Sequence, residues 1–406
     1  MTSLQKPHIC FVAPDTWPVL ADDRTVQSVG GAQVQQTMLA KGLARRGFRV
    51  SMICLDYGQP DGITVDGVTV FKCHAPIQGL PVIRFVHPRL TGMWSALRRV
   101  DADIYYQRSA AAQTGVIGLF ARRYGRRFVY AAACDLDLAR DRTWKLFQRR
   151  AGWRDMQLFQ LGLKLADHVV AQHAGQMQDC KRWHGRVPAI IPSCYVERPG
   201  TTADANGVVL WVSALRTGKR PELFLEMARR LPHLRFRMVG GPSAEVGGET
   251  FFARIKGAAA TIPNLEFVGF VPFAEIDAHF DAARVFVNTS DYEGFPNTFL
   301  QSWSRGIPTV SFCDTGSIRQ GEPVVNVAAN LDEMGALVQR LMQDDCFWFK
   351  TGRRVREHYT AVHTPEAALN AYDRVFADQW NAIKATRGVA LSVLKESVPS
   401  DAGWSA

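Results

Sequence analysis

Glu293 opens the stretch of this chain best equipped for chemistry. Gly294, Phe295, Pro296, Asn297 and Thr298 follow it, and Gln301 comes after seven intervening residues. Arg284 to Thr289, just upstream, reads as a buried strand rich in β-branched and aromatic residues. Pro296 suits the first turn of a helix, where a missing N–H costs nothing. Phe299, Leu300 and Trp303 give that helix an apolar side, and Gly306 followed by Pro308 stops it. The pattern predicts a strand, a polar loop, a helix of about three turns, and a second strand from Pro308. In a parallel sheet such a loop lies at the carboxyl end of its strand, where α/β folds bind ligands. Free backbone N–H groups at the helix start favour an anion such as a phosphate. The plainer alternative is an ordinary α/β crossover carrying an exposed glutamate.

The spacing from Glu293 to Gln301, with Gly306, Ile307, Pro308, Thr309 and Val310 after the helix, resembles the E-x7-E signature of glycosyltransferase family 4. These are the retaining GT-B enzymes also called glycosyl transferases group 1. One departure is plain: Gln301 stands where the second acid is usual. The resemblance implies a nucleotide-sugar co-substrate, UDP- or GDP-linked, whose departing diphosphate must be stabilised beside a carbon of growing positive character. Glu293 would then orient the transferred sugar, and Gln301 would bind ribose through an amide that both donates and accepts hydrogen bonds. Lys219 matches the lysine that the family sets on the diphosphate. Ser213 and Ala214 replace the usual Gly-Arg, so Arg216, in the same loop, is the candidate for the arginine's role. Their alternative is that of solvated loop cations. Gly294, Phe295, Pro296, Asn297 and Thr298 are expected at the donor, as are Gly30 and Gly31, which let backbone approach a ligand closely.

The family needs no protein base, since the leaving phosphate can take the acceptor's proton. Many members bring a histidine from the N-terminal domain near the sugar. Here the loop after the strand at Phe128 reads Ala133, Cys134, Asp135, Leu136, Asp137. Asp135 is the catalytic candidate and Asp137 the next, with helix capping as the alternative for either. His173, after the strand at His168, reads as structural. Neither a metal nor a cofactor beyond the nucleotide-sugar is expected: the acidic pairs Asp22–Asp23 and Asp135–Asp137 lack a supporting His, Asp or Glu cluster.

The elements that must position these residues alternate along the chain. Strands are expected at His8–Ala13, Val50–Leu55, Asp103–Gln107, Phe128–Ala132 and His168–Gln172, with a helix over 32–46 opened by Gly30 and Gly31. Asp66 and Gly67 make a two-residue hairpin turn between Gly62 and Cys73. From 192 to 207 turn formers break the periodicity. A second series follows: strands at Val208–Val212, Leu234–Val239 and Leu265–Val268, and helices over 221–231, 249–260, 274–283 and 331–343. Alternation of this kind predicts two doubly wound, Rossmann-like α/β domains facing a cleft, which is the GT-B architecture. The expected division is an acceptor domain over 1–195, a donor domain over 207–364, a helix over 365–383 returning to the first domain, and a loosely ordered tail over 384–406.

Composition is that of a folded protein, 47% hydrophobic and 21% charged. The eight cysteines are scattered with no C-x-x-C pair, and several sit in strand-like runs, which favours a reducing cytoplasm. No apolar run reaches the roughly 20 residues of a membrane span. The net charge of +10 permits partners that are anionic membranes, acidic glycans or nucleic acid. Between Leu119 and Arg154 many basic residues are interleaved with Trp144, Phe147 and Trp153. That is the look of an interfacial helix at the inner membrane face, and equally that of a solvated helix face with core aromatics. The leading expectation is a hexosyltransferase acting on a glycan or lipid-linked acceptor. A non-catalytic GT-B partner subunit, motivated by Gln301 and Ala214, is the alternative. A nucleic-acid-binding protein is third, since charge alone supports it.

Overall fold

The computed structural model describes residues 6–23, 30–76, 85–140, 152–199, 207–243, 245–291 and 293–396. Its first domain is built on β1 (His8–Val12), β2 (Arg49–Cys54), β3 (Ile63–Val65), β4 (Val68–Lys72), β5 (Ile104–Arg108), β6 (Arg127–Ala131), β7 (His168–Ala171) and β8 (Ala189–Ile190). They form one sheet in the order β3-β4-β2-β1-β5-β6-β7-β8. Every pairing is parallel except the β3–β4 hairpin, where Asp66 and Gly67 both take positive φ. The central strands are buried along their whole length, as parallel strands covered on both faces must be.

Helices α1 (Trp17–Leu20), α2 (Gly31–Arg45), α3 (Thr91–Val100), α4 (Gln113–Arg123), α5 (Trp153–Leu165) and α6 (Ala174–His184) cover those faces. The helix α2 buries Val34, Leu39, Ala40 and Leu43 on one face of the sheet. On the other face α3, α4 and α5 enclose Met93, Leu97, Ile117, Phe120, Phe159 and Leu163.

The second domain opens with β9 (Val208–Val212), followed by α7 (Pro221–Arg230), β10 (Phe236–Val239), α8 (Gly248–Ala259), β11 (Leu265–Gly269), α9 (Asp277–Asp281), β12 (Ala283–Asn288) and α10 (Asn297–Trp303). Then come β13 (Thr309–Ser311), a ribbon of β14 (Ile318–Arg319) with β15 (Glu322–Pro323), and β16 (Asn326–Val327). The sheet runs β11-β10-β9-β12-β13-β16, all parallel. Strand order therefore reverses between β9 and β12, and a crevice opens at their carboxyl ends.

Three helices close the described chain: α11 (Leu331–Gln343), α12 (Asp345–Val362) and α13 (Pro365–Glu396). The last returns to the first domain. Its Ala368, Leu369, Tyr372, Val375, Phe376 and Ile383 join the core beneath α2. The packing there is close: a Cβ at Gly42 would lie 2.8 Å from the end of the Leu369 side chain. Arg46 clamps the same surface through Asp373 and Glu366.

Four differences from the sequence expectation have physical causes. The helix after Pro296 spans seven residues, about two turns rather than three, because Gly306 at φ +76° follows it so soon. The segment expected as a helix over 274–283 keeps only the short α9. Helix α12 escaped the pattern because its buried stripe includes Thr351 and Gly352, whose smallness lets the backbone of Gly306 approach. The region over 384–396, expected as tail, continues α13 without a break.

Phe376 is fully buried where α13 meets the first domain. Phe376→Ala should lower stability by about 3–5 kcal/mol. Urea denaturation followed by fluorescence and circular dichroism checks this; a midpoint shift too small for about 1 kcal/mol would mean that α13 contributes little to that core.

Candidate active site

The crevice is set by two close approaches between the domains. A Cβ at Gly294 would sit 2.8 Å from the Cα of Cys134, so the loop after β12 lies against the loop after β6. At the second approach, Asn297 Nδ2 donates to the carbonyl of Gly31 at 2.9 Å, and Gln35 Nε2 donates to Asn297 Oδ1 at 3.1 Å. The starts of α2 and α10 therefore meet across the cleft. Gln35 also holds the linker, donating to the Cys194 carbonyl at 2.6 Å and accepting from its N–H at 3.0 Å.

Glu293 sits at the floor of this crevice, largely buried. The ammonium of Lys219 pairs with its Oε1, as do Ser290 Oγ at 2.6 Å and Asn288 Nδ2 at 3.2 Å. Burial alone would raise the glutamate's pKa. The Lys219 charge and these three hydrogen bonds outweigh it and hold the carboxyl below the usual range. Lys219 is positioned by the 3-10 turn Thr217–Lys219. That turn is anchored because Thr289 Oγ1 donates to the Lys219 carbonyl at 2.8 Å, while Trp211 Nε1 donates to Thr289 Oγ1 at 2.9 Å. Sequence reasoning placed both charges at one site without seeing that they pair with each other.

On the facing loop, Asp135 accepts from Gln176 Nε2 at 3.1 Å and lies 2.8 Å from His173 Nε2. The backbone N–H of Gln176 points at His173 Nδ1 at 3.4 Å, as an N-cap of α6. An Nδ1 that accepts leaves the proton on Nε2, which donates to the Asp135 carboxylate. His173 thus caps a helix, as a structural histidine would, and also orients Asp135. The second role was not legible, since it joins two loops 38 residues apart. Asp137 is fully buried, and its carboxylate accepts from the N–H of Ala133 at 2.7 Å and of Cys134 at 3.3 Å. It shapes the loop that carries Asp135.

The remaining candidates separate by depth. Arg216 is half exposed and directed toward Glu245 at 3.8 Å. Phe295 turns away from the crevice, with its ring centroid 4.9 Å from that of His363 and 5.8 Å from that of Trp303. Gln301 is 4% exposed, and its Nε2 reaches Tyr195 Oη at 3.4 Å. Tyr195 Oη in turn donates to Asp277, which also pairs with Arg198 and Arg305. Pro296 is the N-cap of α10, and Asn297 and Thr298 are its first residues. Gly30 is the extended N-cap of α2. Among the described residues no group of three His, Cys, Asp or Glu side chains is gathered as a metal site.

Two parallel-sheet α/β domains, with polar loops meeting at their carboxyl edges, define the GT-B class of fold. Sequence families place the chain within it. A family model for glycosyl transferases group 1 matches residues 206–344, and one for the glycosyl transferase 4-like domain matches residues 30–193. The two matches together span about three quarters of the chain, which belongs to this glycosyltransferase family.

Compared with curated proteins by sequence, the chain finds no match. Solved structures share its fold at low identity. A sucrose-phosphate synthase from Thermosynechococcus elongatus superposes with a TM-score of 0.73 at 17% identity, over 93% of this chain and 100% of that one. HepE from Anabaena, in complex with UDP and glucose, gives 0.68 at 14% identity over 92% and 100%. A lipopolysaccharide outer core galactosyltransferase gives 0.57 at 14% over 94% and 99%.

Because the folded-state pKa of Glu293 is depressed, its contribution to stability is present above the unfolded value, near 4.3, and is lost as pH falls through the folded value. Wild type should therefore outlast Glu293→Gln at neutral pH, and the gap should close on acidification below about pH 4. Melting temperatures of both proteins between pH 7 and pH 3 check the sign. A gap that widens in acid would show that the carboxyl is held protonated instead.

Proposed function

We propose that the protein is a retaining hexosyltransferase that takes a sugar from a UDP- or GDP-linked donor to a glycan or lipid-linked acceptor without a metal. The observation that carries this reading is the pairing of Lys219 with Glu293 in a crevice that faces Asp135 across the domain boundary. In that reading Lys219 turns to the departing diphosphate and stabilises its charge. Glu293, relieved of its partner, sits where positive character grows on the sugar. The leaving phosphate accepts the acceptor's proton, and Asp135, oriented by His173, holds the sugar or the acceptor hydroxyl. HepE from Anabaena, the neighbour in complex with UDP and glucose, supports a uridine donor by fold analogy.

A specific observation favours a second reading. Gln301 stands in place of an acid and is buried against Tyr195, which suits a partner subunit that binds nucleotide without turning it over. Two measurements separate the readings. Thermal shifts with UDP, GDP, ADP and TDP in EDTA should show stabilisation by one nucleotide, on the order of 3 kcal/mol at a hundredfold excess over Kd, lost in Lys219→Ala. Donor hydrolysis should then be detectable and should fall by at least about a hundredfold in Glu293→Ala with the fold intact. Nucleotide binding without any turnover on a broad acceptor panel would favour the partner subunit, and no shift with any nucleotide would count against both.

The proposal extends to a cytoplasmic protein peripheral to an anionic membrane. Part of the basic stretch that motivates it, including Arg142, Trp144, Lys145, Phe147, Arg149 and Arg150, lies outside the described residues. Among the described residues Leu119 and Trp153 are exposed, at 43% and 67%, and the exposed cations Arg98 and Arg99 lie near Leu119. In contrast, Arg126 and Arg127 are committed to Asp101 and Asp167. Among the described residues no helix is long and apolar enough to cross a membrane. Sedimentation with phosphatidylglycerol liposomes should capture the protein at low salt and release it as ionic strength rises past the point where the Debye length drops below about 8 Å. Absence of capture at low salt would dispose of this extension.

A further inference from the structure

Behind the crevice, α2, the linker, the loop after β11 and the start of α13 enclose a cavity of about 390 Å³. That lies within the range of roughly 300–1,000 Å³ in which small-molecule sites fall. Its walls are mainly apolar: Val34 and Met38 from α2, Pro272 and Phe273 from the second domain, Leu369 and Tyr372 from α13. Arg108, at the carboxyl end of β5, reaches the same wall and is only 7% exposed.

The surroundings of this guanidinium are neutral. Its Nη2 donates to Ser193 Oγ at 2.9 Å, and to the Gln172 side-chain oxygen at 2.6 Å once that amide is turned to satisfy its neighbours. The Tyr106 hydroxyl is close by. Its Nε is buried without a partner. Among the described residues no carboxylate pairs with Arg108. Asp22 and Asp23, which also line the cavity, have partners of their own, and Lys41 is held by Asp66 at 2.6 Å. An arginine cannot shed its proton to escape burial. Leaving it charged and unpaired is costly, and chains retain such groups where they meet a ligand. The planar fork matches a carboxylate or a phosphate.

We propose that this cavity is a second binding site. Its ligand is an amphipathic organic anion, whose carboxylate or phosphate pairs with Arg108 and whose apolar body lies against Val34, Met38 and Leu369. Because both domains wall the cavity, the ligand binds the closed arrangement of the two domains and favours it. The inference stands on Arg108 and the cavity, independently of the transferase reading.

Isothermal titration of the full chain with octanoate, octyl phosphate and neutral octanol tests it, in wild type, Arg108→Gln and Val196→Trp. Val196 lines the cavity yet is 44% exposed, so a tryptophan there narrows the space without straining a packed core. Wild type should bind at least one of the anions about tenfold or more tightly than octanol, and which one identifies the head group. Arg108→Gln should erase that preference while its own melting temperature stays level or rises, the reverse of what loss of a structural arginine does. Val196→Trp should weaken all three compounds. Equal binding of anions and octanol by wild type, or preference retained in Arg108→Gln, would overturn the proposal. If Arg108→Gln does not fold, unchanged anion binding in Val196→Trp overturns it instead.

Discussion

The absence of a side chain at position 294 is the constraint on which the crevice depends. The loops after β6 and β12 come from different domains, and each must bring polar groups to the carboxyl edge of its own sheet. They touch where Gly294 faces the Cα of Cys134, a separation that any Cβ would violate. Close backbone approach of this kind is what glycine provides. Once the loops touch, Glu293 and Asp135 flank the same contact, one residue to either side. The second contact, on the other side of the cleft, is a side-chain hydrogen bond from Asn297 Nδ2 to the Gly31 carbonyl. The remaining scaffold keeps these two contacts in register. His363 and Tyr359 hold the linker through the carbonyls of Ser193 and Tyr195, and α13 carries the end of the chain back beneath α2. Burial keeps His363 neutral, with its pKa lowered to about 3, so this clamp does not change charge near neutrality.

The fold and the residues nominated for the candidate site could be read from the sequence for one reason: both are written locally. Continuous apolar strands and glycine- or proline-marked helix ends recur with the right alternation, and Glu293 stands a fixed distance before an apolar helix. What was not legible depends on long-range meetings. The pairing of Lys219 with Glu293 joins positions 74 residues apart, and that of Gln35 with Cys194 joins positions 159 apart. No window of sequence contains either. Helix α12 was missed for a different reason. Its inward stripe is partly Thr and Gly, chosen for close packing against the turn at Gly306, so hydrophobic period is a poor guide there. Arg108 shows the same limit from the opposite side. At the end of a strand it reads as a surface cation, and only the fold reveals that α13 and the linker close over it.

Charge placement then separates stability from function. Arg284, Arg305 and Arg46 are buried or half-buried cations too, but each has a carboxylate: Asp345, Asp277 with Asp281, and Asp373 with Glu366. Those pairs tie α12 to β12, the end of α10 to α9, and the end of α2 to α13. Lys219 and Glu293 are also a pair, yet they face a crevice between domains instead of a packed interface. A pair in that position can be parted by a ligand that offers each charge a new partner, which offsets the penalty of leaving either charge buried alone. Under the proposed function, a diphosphate for the lysine and a sugar of growing positive character for the glutamate would be such partners. In that reading the ion pair serves as a holding arrangement, keeping two buried charges satisfied until the chemistry that needs them apart. Arg108 differs in that, among the described residues, no acid holds it. In the proposed second site its counter-charge comes from a ligand, so the two proposals rest on different charged groups in one molecule.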